Sequence, residues 1–167
     1  IEHAAVYTMG ARGGRESVRL PQEALRAPVV DTDRGGDITW HGPGQIVAYP
    51  ILDLRARGIG AGAYIDALEG MLLDTLAAFG VAASLVEGRR GAWVGDDKIA
   101  ALGVRVQGGV SLYGIALNVA PDLAWFEDIV PCGLADAGVT SMARVLGGAP
   151  ALADVRAAMQ RAFAARF

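Results

Sequence analysis

Among the 167 residues lysine and cysteine each occur once, as Lys98 and Cys132, while the other fourteen basic side chains are arginines. Arginine holds its proton near neutral pH, whereas a desolvated lysine can give one up. A thiol needs a base to become the nucleophilic thiolate, so the lone lysine and lone cysteine invite a proton-transfer pair. Lys98 sits in Gly-Asp-Asp-Lys-Ile-Ala-Ala-Leu-Gly and Cys132 in Val-Pro-Cys-Gly-Leu. Two bland alternatives stand beside that idea. A lysine heading an apolar strand can simply snorkel, and a free cysteine can simply be buried.

A denser constellation runs from Arg34 through Gly35, Gly36, Asp37, Ile38, Thr39, Trp40 and His41 to Gly42-Pro43-Gly44-Gln45. Two glycines after an arginine can turn backbone N–H groups toward an anion or a carbonyl; the alternative is a plain turn. His41 shares its twelve residues with several polar and special-backbone neighbours, which favours a site over a solvated loop. His3 reads as a packing or edge residue. A third segment, Gly114-Ile115-Ala116-Leu117-Asn118, returns from a hairpin whose first strand carries Ala101, Leu102 and Gly103. Period-two alternation puts Ala101 with Gly103, and Gly114 with Ala116, on one face each, so small side chains would leave a groove. The same alternation points Lys98 away from that groove unless it precedes the strand or meets a bulge. Thr140-Ser141-Met142 reads as a cap or turn.

The elements that must position these residues follow from pattern. Ile1–Thr8 and Val29–Thr32 read as strands, with a loop between them that holds one helical turn near Pro21–Leu25; Ile46–Leu54 is rich in β-formers. Apolar residues at 65, 68, 72, 76 and 79 predict a helix over Ala61–Phe79, stopped by Gly80. Val81–Val86 and Ala92–Val94 read as short strands. Ile99–Val106, Gly108-Gly109 and Val110–Val119 form a hairpin pattern. Asp122–Ile129 is a short helix or turn, and Ala151–Phe167 a closing amphipathic helix. Strands in the middle with helices flanking them predict an α+β fold with a mixed or antiparallel sheet.

The chain fits one domain, with 53% apolar and 20% charged residues. A net charge of −3 argues against nucleic-acid binding. One cysteine makes no internal disulfide, and two histidines supply no zinc set, which suits a reducing cytoplasm. The sequence shows neither an apolar run near the ~20 residues of a membrane span nor a signal-peptide pattern. The chain opens at Ile1, directly in a strand-like run, so the domain is expected to lack an N-terminal segment.

Taken together, these segments resemble the octanoyltransferases of lipoate biosynthesis, the LipB family. The resemblance is carried by Glu2-His3 with Val6-Tyr7-Thr8, Arg34 to Gln45, Lys98 to Arg105, Gly114 to Asn118, Pro131-Cys132-Gly133 and Val139 to Met142, in the family's order and spacing. It implies a biotin/lipoate protein ligase-like catalytic domain over residues 1–167. It implies a two-step acyl transfer with Cys132 as nucleophile and Lys98 as general acid/base, without metal or other cofactor. Arg34 to His41, Ala101 to Gly103 and Gly114 to Ala116 would shape the acyl pocket. Burying about six methylenes at ~0.8 kcal/mol each would supply on the order of 5 kcal/mol for chain selection. The implied donor is octanoyl-acyl carrier protein. The implied acceptors are lipoyl domains of 2-oxoacid dehydrogenases and the glycine cleavage H protein, met by a cytoplasmic monomer that binds neither nucleic acid nor membrane. Arg12, Arg15 and Arg19, or Arg89 and Arg90, are candidate contacts for acidic partners, or else solvated surface charge. One departure stands out: Tyr113 occupies a position where the family commonly has histidine, so an imidazole proton shuttle is not carried over there. An ATP-dependent ligase and an inactive acyl-binding homologue are the alternative readings.

Overall fold

The hairpin that the sequence marks by its two glycines is the centre of the molecule. In the computed structural model, which describes residues 1–130 and 137–167, Asp97–Gln107 and Val110–Asn118 pair antiparallel along eight residues. Gly108 and Gly109 both take positive φ, 62° and 91°, which is the conformation a tight two-residue turn asks for.

In chain order the described strands are β1 (Val6–Met9), β2 (Val29–Asp31), β3 (Thr39–His41), β4 (Gln45–Ala48), β5 (Ser84–Val86), β6 (Arg89–Val94), β7 (Asp97–Gln107), β8 (Val110–Asn118) and β9 (Gly138–Val139). The helices are α1 (Ala61–Ala77), α2 (Met142–Leu146) and α3 (Leu152–Ala164). One sheet runs β4-β8-β7-β6-β5, with β9 lying parallel to the start of β7; a second, smaller sheet runs β2-β1-β3. The architecture is therefore α+β with mixed sheets, as the element pattern predicts. Among the described residues no helix is long and apolar enough to cross a membrane.

Helices α1 and α3 pack on one face of the large sheet. Leu68, Leu72 and Leu76 of α1 and Val155 and Met159 of α3 meet Ile99, Ala100, Ile115 and Leu117 in the main core. The stop at Gly80 is a Schellman motif. Val81 N–H bonds the Leu76 carbonyl and Gly80 N–H bonds that of Ala77, with Gly80 at φ 76°, so the regular helix ends at Ala77 rather than Phe79. A second, smaller core gathers Tyr7, Ile38, Trp40, Phe126 and Ile129 under the small sheet.

Three expected boundaries move for physical reasons. Regular pairing in β1 begins only at Val6, while Ile1 exchanges backbone bonds with Val47 at 2.8 and 2.9 Å. Strand β4 ends at Ala48, two residues before Pro50, which has no N–H to continue a ladder. Strand β7 starts at Asp97, so Lys98 lies inside it and not ahead of it.

Candidate active site

Between the small sheet and the outer face of the β7–β8 hairpin lies a cleft of about 100 Å³. Ala101 and Ala116 pair directly across the hairpin, as do Gly103 and Gly114, and all four line the cleft together with Leu102 and Ile115. The two pairs do different things. The alanine pair leaves space. At Gly103 an added Cβ would lie 2.9 Å from the Arg34 side chain, and at Gly114 it would lie 2.1 Å from the Ala48 carbonyl oxygen. Those glycines let Arg34 and β4 close in, so the groove is a property of the alanines.

The opposite wall is polar and internally bonded. Arg34 is buried; its Nε reaches Thr8 Oγ1 at 3.2 Å, and its Nη1 donates to the Gly35 carbonyl at 3.0 Å. Gly35 N–H donates to Val104 O at 3.0 Å, and a Cβ there would sit 2.8 Å from that same oxygen. Of the two readings of the Gly-Gly pair, the anion-facing one does not hold at Gly35, whose N–H is spent on a strand-like contact with β7. Asp37 lines the cleft and anchors its own loop, accepting from Ile38 N at 2.6 Å and from Ser17 Oγ at 3.0 Å. Gly36, Thr39 and His41 also line it, but Gly35, Ile38 and Trp40 do not. Ile38 and Trp40 belong to the second core, where Trp40 stacks on Trp125 with ring centroids 5.5 Å apart.

His41 is held in one tautomer by a chain of carbonyls. The Thr140 carbonyl can only accept, so Asn118 presents Nδ2 to it at 3.1 Å and turns Oδ1 toward Gln45. Gln45 Nε2 then donates to Asn118 Oδ1 at 2.9 Å and to the Trp40 carbonyl at 3.3 Å, which leaves Gln45 Oε1 facing His41 Nδ1 at 2.6 Å. Nδ1 must carry the hydrogen, and Nε2 is left as an acceptor. Burial pushes the His41 pKa down to about 4, against the opposing effect of the Gln45 bond and assisted by the charges of Arg34 and His3. The ring is neutral at pH 7.

Lys98 joins this cleft through an irregularity in pairing. Ala92 pairs with Ala100, but the next residue, Trp93, pairs with Lys98, so Ile99 is an extra residue in β7. Both Ile99 and Ala100 enter the main core, and alternation then returns Lys98 to the face of Ala101. Gly91 makes the bulge possible: at φ 120°, a Cβ on it would lie 2.3 Å from the Ala100 oxygen. Buried Glu69 of α1 holds this point, accepting from Gly91 N at 2.8 Å and from Arg90 Nη1 at 2.7 Å. Lys98 is buried, with Nζ 4.8 Å from the Trp93 ring centroid. It lines a recess of about 20 Å³ that shares Thr39, Ala101 and Ala116 with the main cleft. Cys132 lies outside the described residues. Downstream of it, Gly138 and Val139 pair with Asp97 and Lys98, and Thr140 N–H donates to the Lys98 carbonyl at 3.0 Å.

Several cleft residues escape the sequence reading. His3 lines the cleft rather than merely packing an edge, and its Nε2 meets Tyr49 Oη at 2.7 Å. Val6 and Thr8 alternate onto the cleft face of β1, a signal that period-two reading of that strand could have used. Nothing local marks Tyr49. Ser141 caps α2 by accepting from Arg144 N at 3.2 Å, as the cap reading has it. Arg90 is engaged by Asp66 and Glu69, and Arg89 lies over the Trp93 ring. Arg12, Arg15 and Arg19 are exposed.

The chain is similar to known proteins both in sequence and in fold. The sequence matches the lipoyl protein ligase A/B catalytic domain over residues 1–164. The fold is that of a lipoate-protein ligase A bound with ATP (TM-score 0.75, 15% identity, 99% of this chain and 70% of that one). It is also that of the biotin protein ligase from Aquifex aeolicus (TM-score 0.59, 10% identity, 99% and 69%). The chain belongs to the lipoyl protein ligase A/B catalytic domain family. Within that family its place is among the octanoyltransferases, which are acyltransferases: it is 47% identical to the octanoyltransferase of Salinispora tropica over 96% of this chain and 76% of that protein.

Proposed function

We propose that residues 1–167 act as a single catalytic domain that carries an octanoyl group on Cys132, with Lys98 as the general acid/base and the Ala101–Ala116 groove as the seat of the chain. The observation that carries this reading is the bulge at Ile99. It puts the chain's one lysine, buried, on the same face as the groove and beside the strand that follows Cys132. The donor is octanoyl-acyl carrier protein and the acceptors are lipoyl domains of 2-oxoacid dehydrogenases and the glycine cleavage H protein. The exposed Arg12, Arg15 and Arg19 supply a basic contact for these acidic partners, and the enzyme works as a cytoplasmic monomer.

In the first step the Cys132 sulfur attacks the thioester carbonyl, and Lys98 holds the proton that the thiol gives up. The tetrahedral species collapses, the carbon–sulfur bond to the carrier breaks, and the leaving thiolate takes that proton. One thioester replaces another, so the exchange is close to thermoneutral. In the second step the amine of the acceptor lysine attacks the acyl-enzyme. Its excess proton passes to Lys98, the amide forms, and the Cys132 thiolate leaves. Arg34, Gly36, Asp37, Thr39 and His41 wall the cleft, with neutral His41 offering an acceptor nitrogen. The remaining residues of that run, Gly35, Ile38 and Trp40, support the wall from behind.

Intact-mass measurement after exposure to an octanoyl thioester tests the reading. An octanoyl adduct should appear on the wild type and vanish in Cys132→Ala. Acyl transfer from ATP with free octanoate, and none from the thioester, would overturn it in favour of a ligase.

A further inference from the structure

One residue lining the cleft has a backbone out of place for its strand. Gly114 and Ala116 face the cleft and Ile115 faces the main core, so alternation should send Tyr113 toward the helices. It does not go there. Tyr113 has φ +59° and is the one non-glycine with positive φ among the described residues. The left-handed backbone turns its ring to the cleft, which it lines. Its hydroxyl donates to Asp33, in the connection between β2 and β3, and Arg105 of β7 pairs with the other oxygen of that carboxylate. A strained backbone persists where its surroundings over-determine it, and such strain gathers at functional positions. Here the determinants are two: the Asp33 carboxylate and the Arg105 guanidinium behind it.

Distance gives this arrangement a meaning. Ala101 lies at the junction with the Lys98 recess, and Tyr113 pairs with Val104, three residues further along β7. At about 3.3 Å per residue the run is roughly 10 Å. An extended octanoyl chain spans about 9 Å from carbonyl to terminal methyl, with bonds near ~1.5 Å. A chain whose carbonyl sits at the junction therefore ends against the tyrosine ring.

We propose that Tyr113, bolted across the cleft by Asp33 and Arg105, is the end wall that sets the length of the acyl chain. The inference rests on the cleft being the acyl seat, and the test separates the two. Wild type, Tyr113→Gly and Asp33→Ala are exposed to octanoyl and dodecanoyl N-acetylcysteamine thioesters, and adduct formation on Cys132 is timed by intact mass. Glycine suits φ +59° and removes the wall, and Asp33→Ala unbolts the ring without touching the strand.

The dodecanoyl-to-octanoyl rate ratio should rise at least about tenfold in Tyr113→Gly and by less in Asp33→Ala. A ratio unchanged in both, with octanoyl adduct forming normally, overturns the end wall and leaves the acyl-enzyme intact. Should Tyr113→Gly fail to fold, the ratio in Asp33→Ala decides. If no thioester labels wild-type Cys132, the acyl-enzyme falls, and the wall is read from binding alone. Calorimetric titration of the two thioesters should then show the same relative gain for dodecanoyl in the variants, and equal preferences in all three proteins would overturn it.

Discussion

The two walls of the cleft are built on opposite principles. The hairpin wall is small side chains on a regular ladder: Ala101 opposite Ala116 and Gly103 opposite Gly114, each able to face the cleft because side chains alternate. The facing wall, from Arg34 to His41, is short strands and turns whose polar groups are satisfied from elsewhere in the chain: Arg34 by Thr8, Asp37 by Ser17, and His41 by Gln45, which Asn118 holds in turn. The first wall can lose a methyl group's worth of space and keep its bonds. The second can lose one partner and strand a buried donor or acceptor, which costs more than the bond contributes. The hairpin wall is therefore the place to tune a chain length, and the polar wall is the place to hold a reacting geometry.

Breaking that contrast starts with the largest effect. Lys98→Met keeps an apolar stem in the bulge and removes the ammonium. Adduct formation on Cys132 should slow by at least about 10²-fold with the fold intact by circular dichroism, and wild-type rates would remove Lys98 from the chemistry.

Next comes pH, which acts on the stability of the polar wall through His41. His41 titrates at about 4 in the fold and near 6.5 when unfolded, so the unfolded chain binds the proton first as pH falls. Stability is complete above about 6.5 and declines through the interval down to about 4, by about 3 kcal/mol in all. Urea unfolding at pH 7 and pH 4.5 should show the decline, and in His41→Asn that part of the slope should be absent.

Gly91→Ala, in the neighbouring strand β6, acts on the hairpin wall at its bulge. A Cβ 2.3 Å from the Ala100 oxygen, on a backbone at φ 120°, should cost about 2 kcal/mol and disturb Lys98 together with the bulge. A loss of stability with an unaltered acylation rate would show that the bulge does not place the lysine.

The smallest cost in stability belongs to Ala116→Leu, within about 1 kcal/mol, because the new side chain enters a cleft and not a packed core. Octanoyl adduct formation should nonetheless fall, whereas hexanoyl should suffer less. Equal losses for both would place the chain elsewhere.

Much of the hairpin wall is legible in advance. A glycine pair between two β-rich runs announces the turn, and period two assigns Ala101, Gly103, Gly114 and Ala116 to their faces. The polar wall is legible as a motif whose residues crowd together, but their individual roles are not. Trp40 and Ile38 sit among the same special residues as His41 and go to a core, because β3 alternates and Phe126 and Ile129 arrive from far along the chain to cover them. His3 and Tyr49 join the cleft through a contact between residues 46 apart, which no local pattern records.

From its own order of residues this chain dictates the elements and their periodicities: the helix stopped at Gly80, the two-glycine hairpin, the cap at Ser141, and the presence of one lysine and one cysteine. Such features depend on backbone conformations and side-chain spacings within a few residues, and local sterics suffice to set them. Only the tertiary structure decided that Lys98 faces the groove, that His41 carries its hydrogen on Nδ1, and that the Tyr113 hydroxyl reaches Asp33. Each of those outcomes turns on a strand slip or on a bond whose partners the tertiary structure brings together. A one-residue slip reverses every side chain beyond it, and neither composition nor spacing encodes where the slip will fall.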